Sequence, residues 1–384
     1  MRVPGHTSTG SKRPDALFGI AEGAPAYLSR TEGCVAWDAD GHRYVDMIMA
    51  LGAVALGYAH PAVVEAVSRA LAAGGTGSLA PVEEEQVADR LCTVLPGAEA
   101  VRFFKTGAEA VAAAVRIARV HTGRDRVVTC GYHGWLDWCQ TEAGVPEVVR
   151  RLRSEIPFND IACLDAVFAL GEDIAAFVVE PVIDGPPSRQ WLAALCARTR
   201  QRGTVLIFDE IKTAFRVAVG GAAERWGVTP DLMVIGKALG NGVPIAAVLG
   251  GRDLMGTATS TWISSTLATE TLGLAAAGAV LDTYEREPVI EHLEQAGRRL
   301  FDTLAVLAGR YSGLISGVRG LPQMCYLRFK SPENGAALAR AAAHRGVLFK
   351  RDAYNYVSYA HTDDVLQEVA EALDEAMEDV VRQC

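Results

Sequence analysis

The chain has 384 residues, half of them hydrophobic, enough to fill a large core and, by size, two packed domains. Its formal net charge is −9 and no Lys/Arg run is longer than a few residues, so the electrostatic footprint of a nucleic-acid or acidic-membrane binder is missing. The opening MRVPGHTSTGSKRPD has no apolar signal core and no segment offers about 18 uninterrupted apolar residues, so a cytoplasmic protein without membrane spans is expected.

In chain order, GCVAWDADGHRYVD (33–46) alternates around a turn at Asp40-Gly41, a hairpin pattern. FFKTGAEA (103–110) then places Thr106, Gly107 and Ala108 at the entry to a helix over 109–121, where free backbone N–H groups suit a phosphate. The runs DRVVTC (125–130), AAFVVEP (175–181), TVLIFDE (204–210), DLMVIG (231–236) and PIAAVLGG (244–251) read as strands, and SRQWLAALCARTRQR (188–202) as a helix between two of them. Such alternation means an α/β fold, a mostly parallel sheet covered on both faces. From Thr269 a long Ala/Leu-rich helix reads as the linker into a smaller α+β domain that holds MCYLRFK (324–330) and RGVLFK (345–350). The eight cysteines form no C-x-x-C pair and the eight histidines no H-x-x-x-H or H-E-x-x-H spacing, so reduced thiols and no metal site are expected.

In a parallel sheet, ligands sit beyond the carboxyl ends of the strands, where Glu180, the pair Asp209-Glu210 and the loop after Ile235 fall. Two readings of the acidic pair compete: a helix cap, since Asp caps well, or a carboxylate facing a cationic ring. Lys237 follows an apolar strand among Gly236, Gly240 and Gly242, which allow close backbone approach to a bound group. Pyridoxal phosphate (PLP) chemistry needs a Schiff-base lysine, an acid to hold the pyridine nitrogen protonated, and a phosphate cradle. Lys237, Asp209 and the Thr106 segment suit those three roles, and Tyr132, between glycines in CGYHGW (130–135), offers an aromatic ring for stacking.

With the stretches FFKTGAEAVAAAVRIARVHTGRDRVV, GYHGW, LIFDEIKTAFR, PDLMVIGKALGNGVPIAAVLGG, STLATETLGLAAA and VSYAHTDDVLQEV in this order, nearly the whole chain resembles the class III, fold-type I PLP-dependent aminotransferases, in their glutamate-1-semialdehyde aminomutase-like branch. The resemblance implies a large PLP domain (45–270) with a mostly parallel sheet of the seven-stranded type, and a small domain built from 1–44 and 271–384. By the same resemblance Lys237 carries the cofactor, Asp209 partners the pyridine nitrogen, and Ile211 and Tyr132 flank the ring. Thr106, Gly107 and Ala108 hold the phosphate. Thr266 would reach the phosphate of a neighbouring subunit, which implies a homodimer with shared sites.

Glu180 and Glu210 read as hydrogen-bonding scaffold rather than catalysts, His133 as a structural ring, and Arg216 as architectural. Lys212 stands where the family more often has Met or Gln, and Lys105-Thr106 where Asn-Ser or Cys-Ser is commoner. The aminomutase's gating glutamate would fall near Ala353, so ordinary transamination is expected: an amino group moves from a donor, by family habit L-glutamate, through the pyridoxamine form of the cofactor to a keto or aldehyde acceptor. GYHGWLDW, GVPEVVRRL and PFNDIACL resemble aminomutase-like proteins of carbohydrate and specialised-metabolite pathways. An aminomutase or an amino-group epimerase on the same scaffold is the alternative. Arg13, Arg319 and Arg351 are candidates for a donor carboxylate.

Overall fold

The computed structural model describes residues 2–19, 24–169, 171 and 173–383; Cys384 lies outside them. The chain divides into two compact units, Ala62–Glu287 and Met1–Pro61 with Pro288–Cys384.

The Ala62–Glu287 unit is built on seven strands: β1 (Ala100–Phe104), β2 (Arg126–Cys130), β3 (Arg153–Glu155), β4 (Ile174–Val179), β5 (Val205–Asp209), β6 (Leu232–Ile235) and β7 (Ala246–Gly250). Their order is β1-β7-β6-β5-β4-β2-β3. Only β7 runs antiparallel to its neighbours; the other pairs are parallel, with Val178 opposite Ile207 and Asp209 opposite Val234. Every residue of β4, β5, β6 and β7 is buried, which is why these strands read as continuous apolar runs and not as alternating ones.

The main helices of this unit are α1 (Val82–Val94), α2 (Gly107–Thr122), α3 (Arg189–Arg202), α4 (Gly221–Trp226) and α5 (Thr271–Arg286). The buried face of α2, including Val111, Ala114, Ile117 and Ala118, packs on Val178, Ile207, Val234 and Val248. Each such aliphatic side chain contributes roughly 1.5–3 kcal/mol relative to exposure, so a polar change on this face would undo the layer. Helix α5, read from sequence as a linker, belongs with this unit: Arg90 on α1 pairs with Asp282 at 2.8 Å and Glu285 at 2.9 Å on α5. The units therefore part at 61/62 and 287/288, later than the 44/45 and 270/271 that the resemblance implies.

In the other unit, Val35–Asp38 and Arg43–Asp46 form the expected hairpin, Val35 opposite Val45 and Trp37 opposite Arg43. Asp38 closes its turn: one carboxylate oxygen accepts the N–H groups of Asp40 (3.0 Å) and His42 (2.8 Å), the other the Tyr44 hydroxyl (2.8 Å). Leu28–Glu32 adds an antiparallel edge strand and Val347–Leu348 a parallel one. The polar LSRTE gives no apolar signal, so this edge strand is not visible in the sequence. A second sheet joins Ile315–Leu321, Met324–Phe329 and Asn355–Tyr356. Among the described residues no helix is long and apolar enough to cross a membrane, and the described cysteines are free thiols.

Candidate active site

The carboxyl ends of β2, β4, β5 and β6 and the start of α2 converge on one place. Strand β5 ends at Asp209, whose Oδ2 lies 2.8 Å from His133 Nδ1, with both side chains buried. Its Oδ1 accepts the Ile211 N–H at 3.3 Å. Ile211 fills the centre of the site: a Cβ placed on Gly107 or on Gly236 would come within 2.9 Å of Ile211 Cδ1. Only glycine allows the start of α2 and the end of β6 to approach one side chain this closely.

Lys237 follows Gly236 in a short 3-10 turn and adopts a left-handed backbone, φ 47°. For a residue with a Cβ this costs on the order of 1–3 kcal/mol, strain that concentrates at functional sites. Burial pushes its ammonium down to about 8; the neighbouring Lys212 and Arg216 charges push the same way, against Glu180 and Asp209. A substantial neutral fraction near pH 8 is what a nucleophilic or proton-accepting amine needs.

Thr106 caps α2 with a reciprocal capping box: its hydroxyl accepts the Glu109 N–H (3.2 Å) and Glu109 accepts the Thr106 N–H (3.0 Å). The first-turn N–H groups of Gly107 and Ala108 have no intrahelical acceptors and, with the helix dipole, favour an anion. The Gly131–Gly134 loop lies against them, since a Cβ on Gly134 would fall 2.7 Å from the Ala108 Cβ. Tyr132 on this loop is exposed, and its N–H donates to Glu180 Oε2 at 2.9 Å.

The two readings of the acidic pair divide between its members. Asp209 faces His133 in the site, whereas fully buried Glu210 points away and caps α4, accepting the N–H groups of Ala222 (2.8 Å) and Ala223 (2.7 Å) and the Thr213 hydroxyl. Burial pushes the Glu210 carboxyl up to about 7, against those three hydrogen bonds. Glu210→Ala orphans buried donors and is expected to destabilise the fold by about 3 kcal/mol, read in chemical denaturation. An unchanged denaturation midpoint would disprove the capping role.

Asp209, Ile211, Lys237, Gly107, Ala108 and the Tyr132 loop are thus brought together. Thr266 is not: it is exposed on the loop before α5. That loop is tied to the cradle by a pair between Lys105 and Glu270, whose carboxylate also caps α5 through the N–H groups of Leu272 (2.7 Å) and Gly273 (2.9 Å). Two features escaped the sequence reading, this pair and the contact of Lys212 Nζ with Glu180 Oε1 at 2.7 Å. Both join residues more than 30 positions apart, with no spacing to betray them. Arg216 is fully buried. Arg13, Arg319 and Arg351 belong to the other unit, where Arg351 donates to the carbonyls of Ala16, Pro332 and Asp15.

The family model "Aminotransferase class-III" matches residues 20–381. Glutamate-1-semialdehyde 2,1-aminomutase of Neisseria gonorrhoeae (strain NCCP11945) is 34% identical over 410 residues, covering 95% of this chain and 93% of that protein. Among solved structures, the PLP internal aldimine form of the FumI protein of Sphingopyxis sp. MTA144 superposes with a TM-score of 0.93 at 27% identity, over 99% of this chain and 94% of that one. An omega-transaminase from Sphaerobacter thermophilus gives 0.89 at 25%, over 99% and 95%. Fold, site and these similarities agree: the chain belongs to the class-III aminotransferases, fold-type I enzymes that use pyridoxal phosphate.

Proposed function

We propose that this enzyme transfers an amino group from a small amino donor, with L-glutamate the first choice, to a keto or aldehyde acceptor such as a sugar or specialised-metabolite intermediate. The observation that carries the reading is the strained, partly buried Lys237, set among Asp209, Ile211 and the open first turn of α2. The residues present fit pyridoxal phosphate: an amine of lowered pKa, a buried carboxylate, an apolar Ile211 side chain seated against Gly107 and Gly236, and an anion-binding helix start.

In this reading Lys237 Nζ holds the cofactor, Asp209 the proton on its ring nitrogen, Ile211 and Tyr132 its two faces, and Thr106, Gly107 and Ala108 its phosphate. When bound, the cofactor supplies a cationic ring that withdraws electrons from the substrate's amine-bearing carbon. Lys237 Nζ, as a neutral amine, would accept the proton from that carbon as general base and hold it for return as general acid. Asp209, oriented by His133, would face the ring nitrogen. In the second half-reaction the same two residues work in reverse on the acceptor. A homodimer in which Thr266 reaches the partner's phosphate is part of the proposal, supported by the exposure of Thr266 and of Trp262 beside it. So is a cytoplasmic location, which suits the free thiols.

The similarity to aminomutases favours a second reading, in which the amino group returns to the same carbon skeleton. The cofactor-loaded protein is to be mixed with L-glutamate and no acceptor. Transamination predicts one equivalent of 2-oxoglutarate per site, with loss of the cofactor's visible absorbance. In a second sample given glutamate-1-semialdehyde in place of L-glutamate, its isomerisation without keto-acid release would instead establish the mutase. Substrate deuterium exchange without either product would mean epimerisation, and no mass addition at Lys237 after borohydride reduction would overturn the assignment of the lysine.

A further inference from the structure

Lys212 has no role in the scheme above, yet it stands at the centre of a contact chain. Its ammonium lies 2.7 Å from Glu180 Oε1, with side chains only 15% and 8% exposed. The other oxygen of Glu180 accepts the Tyr132 N–H at 2.9 Å, and a Cβ on Gly131 (φ 104°) would meet that oxygen at 2.7 Å. One carboxylate at the end of β4 therefore joins the residue after Ile211 to the loop that carries Tyr132. Ion pairs so enclosed suffer more from losing one partner than from losing both, because the survivor is left charged without compensation.

We propose that Lys212 is a positioning residue of this site: its pair with Glu180 holds the Gly131–Gly134 loop, and with it Tyr132, in place, and sets the charge balance around Lys237. The charged groups acting on Lys237 are Lys212 and Arg216, both cationic, and Glu180 and Asp209, both anionic. These four balance. Removing Lys212 holds Lys237 as ammonium to higher pH; removing the Glu180 charge does the reverse; removing both sets the two opposite shifts against each other. The placement of Tyr132 over a bound ring rests on the proposed function, whereas the charge balance around Lys237 does not.

The test measures acetylation of Lys237 against pH by peptide mass spectrometry in the full-length, cofactor-free protein, and amide exchange at the 131–134 loop with cofactor present. Lys212→Met is expected to raise the labelling midpoint by roughly half a pH unit, about a twofold slower rate at pH 8. Glu180→Gln is expected to lower the midpoint, and the double variant to bring it back. Lys212→Arg, which keeps the cation, should behave as the wild type. Loop exchange should rise about tenfold in Lys212→Met, since the exchanging Tyr132 N–H is the one Glu180 accepts. Midpoints that stay put, or that move the same way in both single variants, would overturn the proposal. Should Lys212→Met fold poorly, the opposite shift in Glu180→Gln still decides it. Borohydride mass addition at Lys237 in the wild type reports separately on the cofactor assignment.

Discussion

Lys237→Ala is expected to reduce kcat by at least about 10⁴-fold, because in the proposed scheme Lys237 is both the proton-transfer group, which alone contributes 10²–10⁴, and the point of covalent attachment of the cofactor. The variant should nevertheless fold. The ammonium of Lys237 is pushed down to about 8 by burial, so folding works against its charged form, and alanine removes that penalty. A melting temperature equal to or above the wild type, together with lost turnover, is therefore the predicted pair of results. Mass spectrometry after borohydride reduction should show no cofactor mass on the chain. Small primary amines added to the variant should restore part of the rate by supplying a diffusible base. Retention of more than about a tenth of wild-type turnover would remove Lys237 from the mechanism.

Asp209→Asn should cost about 10²–10³-fold in kcat, the range seen when a preorganised charge facing a reacting system is neutralised. The substitution keeps the shape and one acceptor for the Ile211 N–H, so the loss would report charge rather than packing. His133→Gln should cost less, roughly tenfold, because in the proposed scheme the histidine acts on the ring only by orienting Asp209. In the double variant the losses should not add, since with Asn at 209 the histidine has no carboxylate to orient. Single-turnover rates with L-glutamate would measure all three. An Asp209→Asn enzyme within a few-fold of wild type would mean that another group supports the ring nitrogen.

Much of this arrangement can be read in the amino-acid order because its signals are local. The buried parallel strands are short apolar runs, AAFVV and VLIF, that need no partner to be recognised. Strand ends mark the ligand side of such a sheet, so Asp209 and Lys237 could be placed before any coordinates. The cradle is equally local: Thr106 and Glu109 form a capping box within four residues. Where the signal is weak, the pattern fails. The edge strand Leu28–Glu32 is polar and mostly exposed, and helix α5 takes its place from partners distant in sequence, among them Arg90 on α1 and Phe215.

By itself, then, the sequence determined the fold class through its short apolar runs, and the family through the resemblance of its ordered motifs, which also named the residues that gather at the strand ends. Tertiary structure alone decided which carboxylate of the Asp209-Glu210 pair faces the site and which caps a helix. It also decided that Glu180 pairs with Lys212 and Lys105 with Glu270. The physical reason is common to all of these: an ion pair or a hydrogen bond depends on distances across the fold, which the spacing of residues along one chain does not contain.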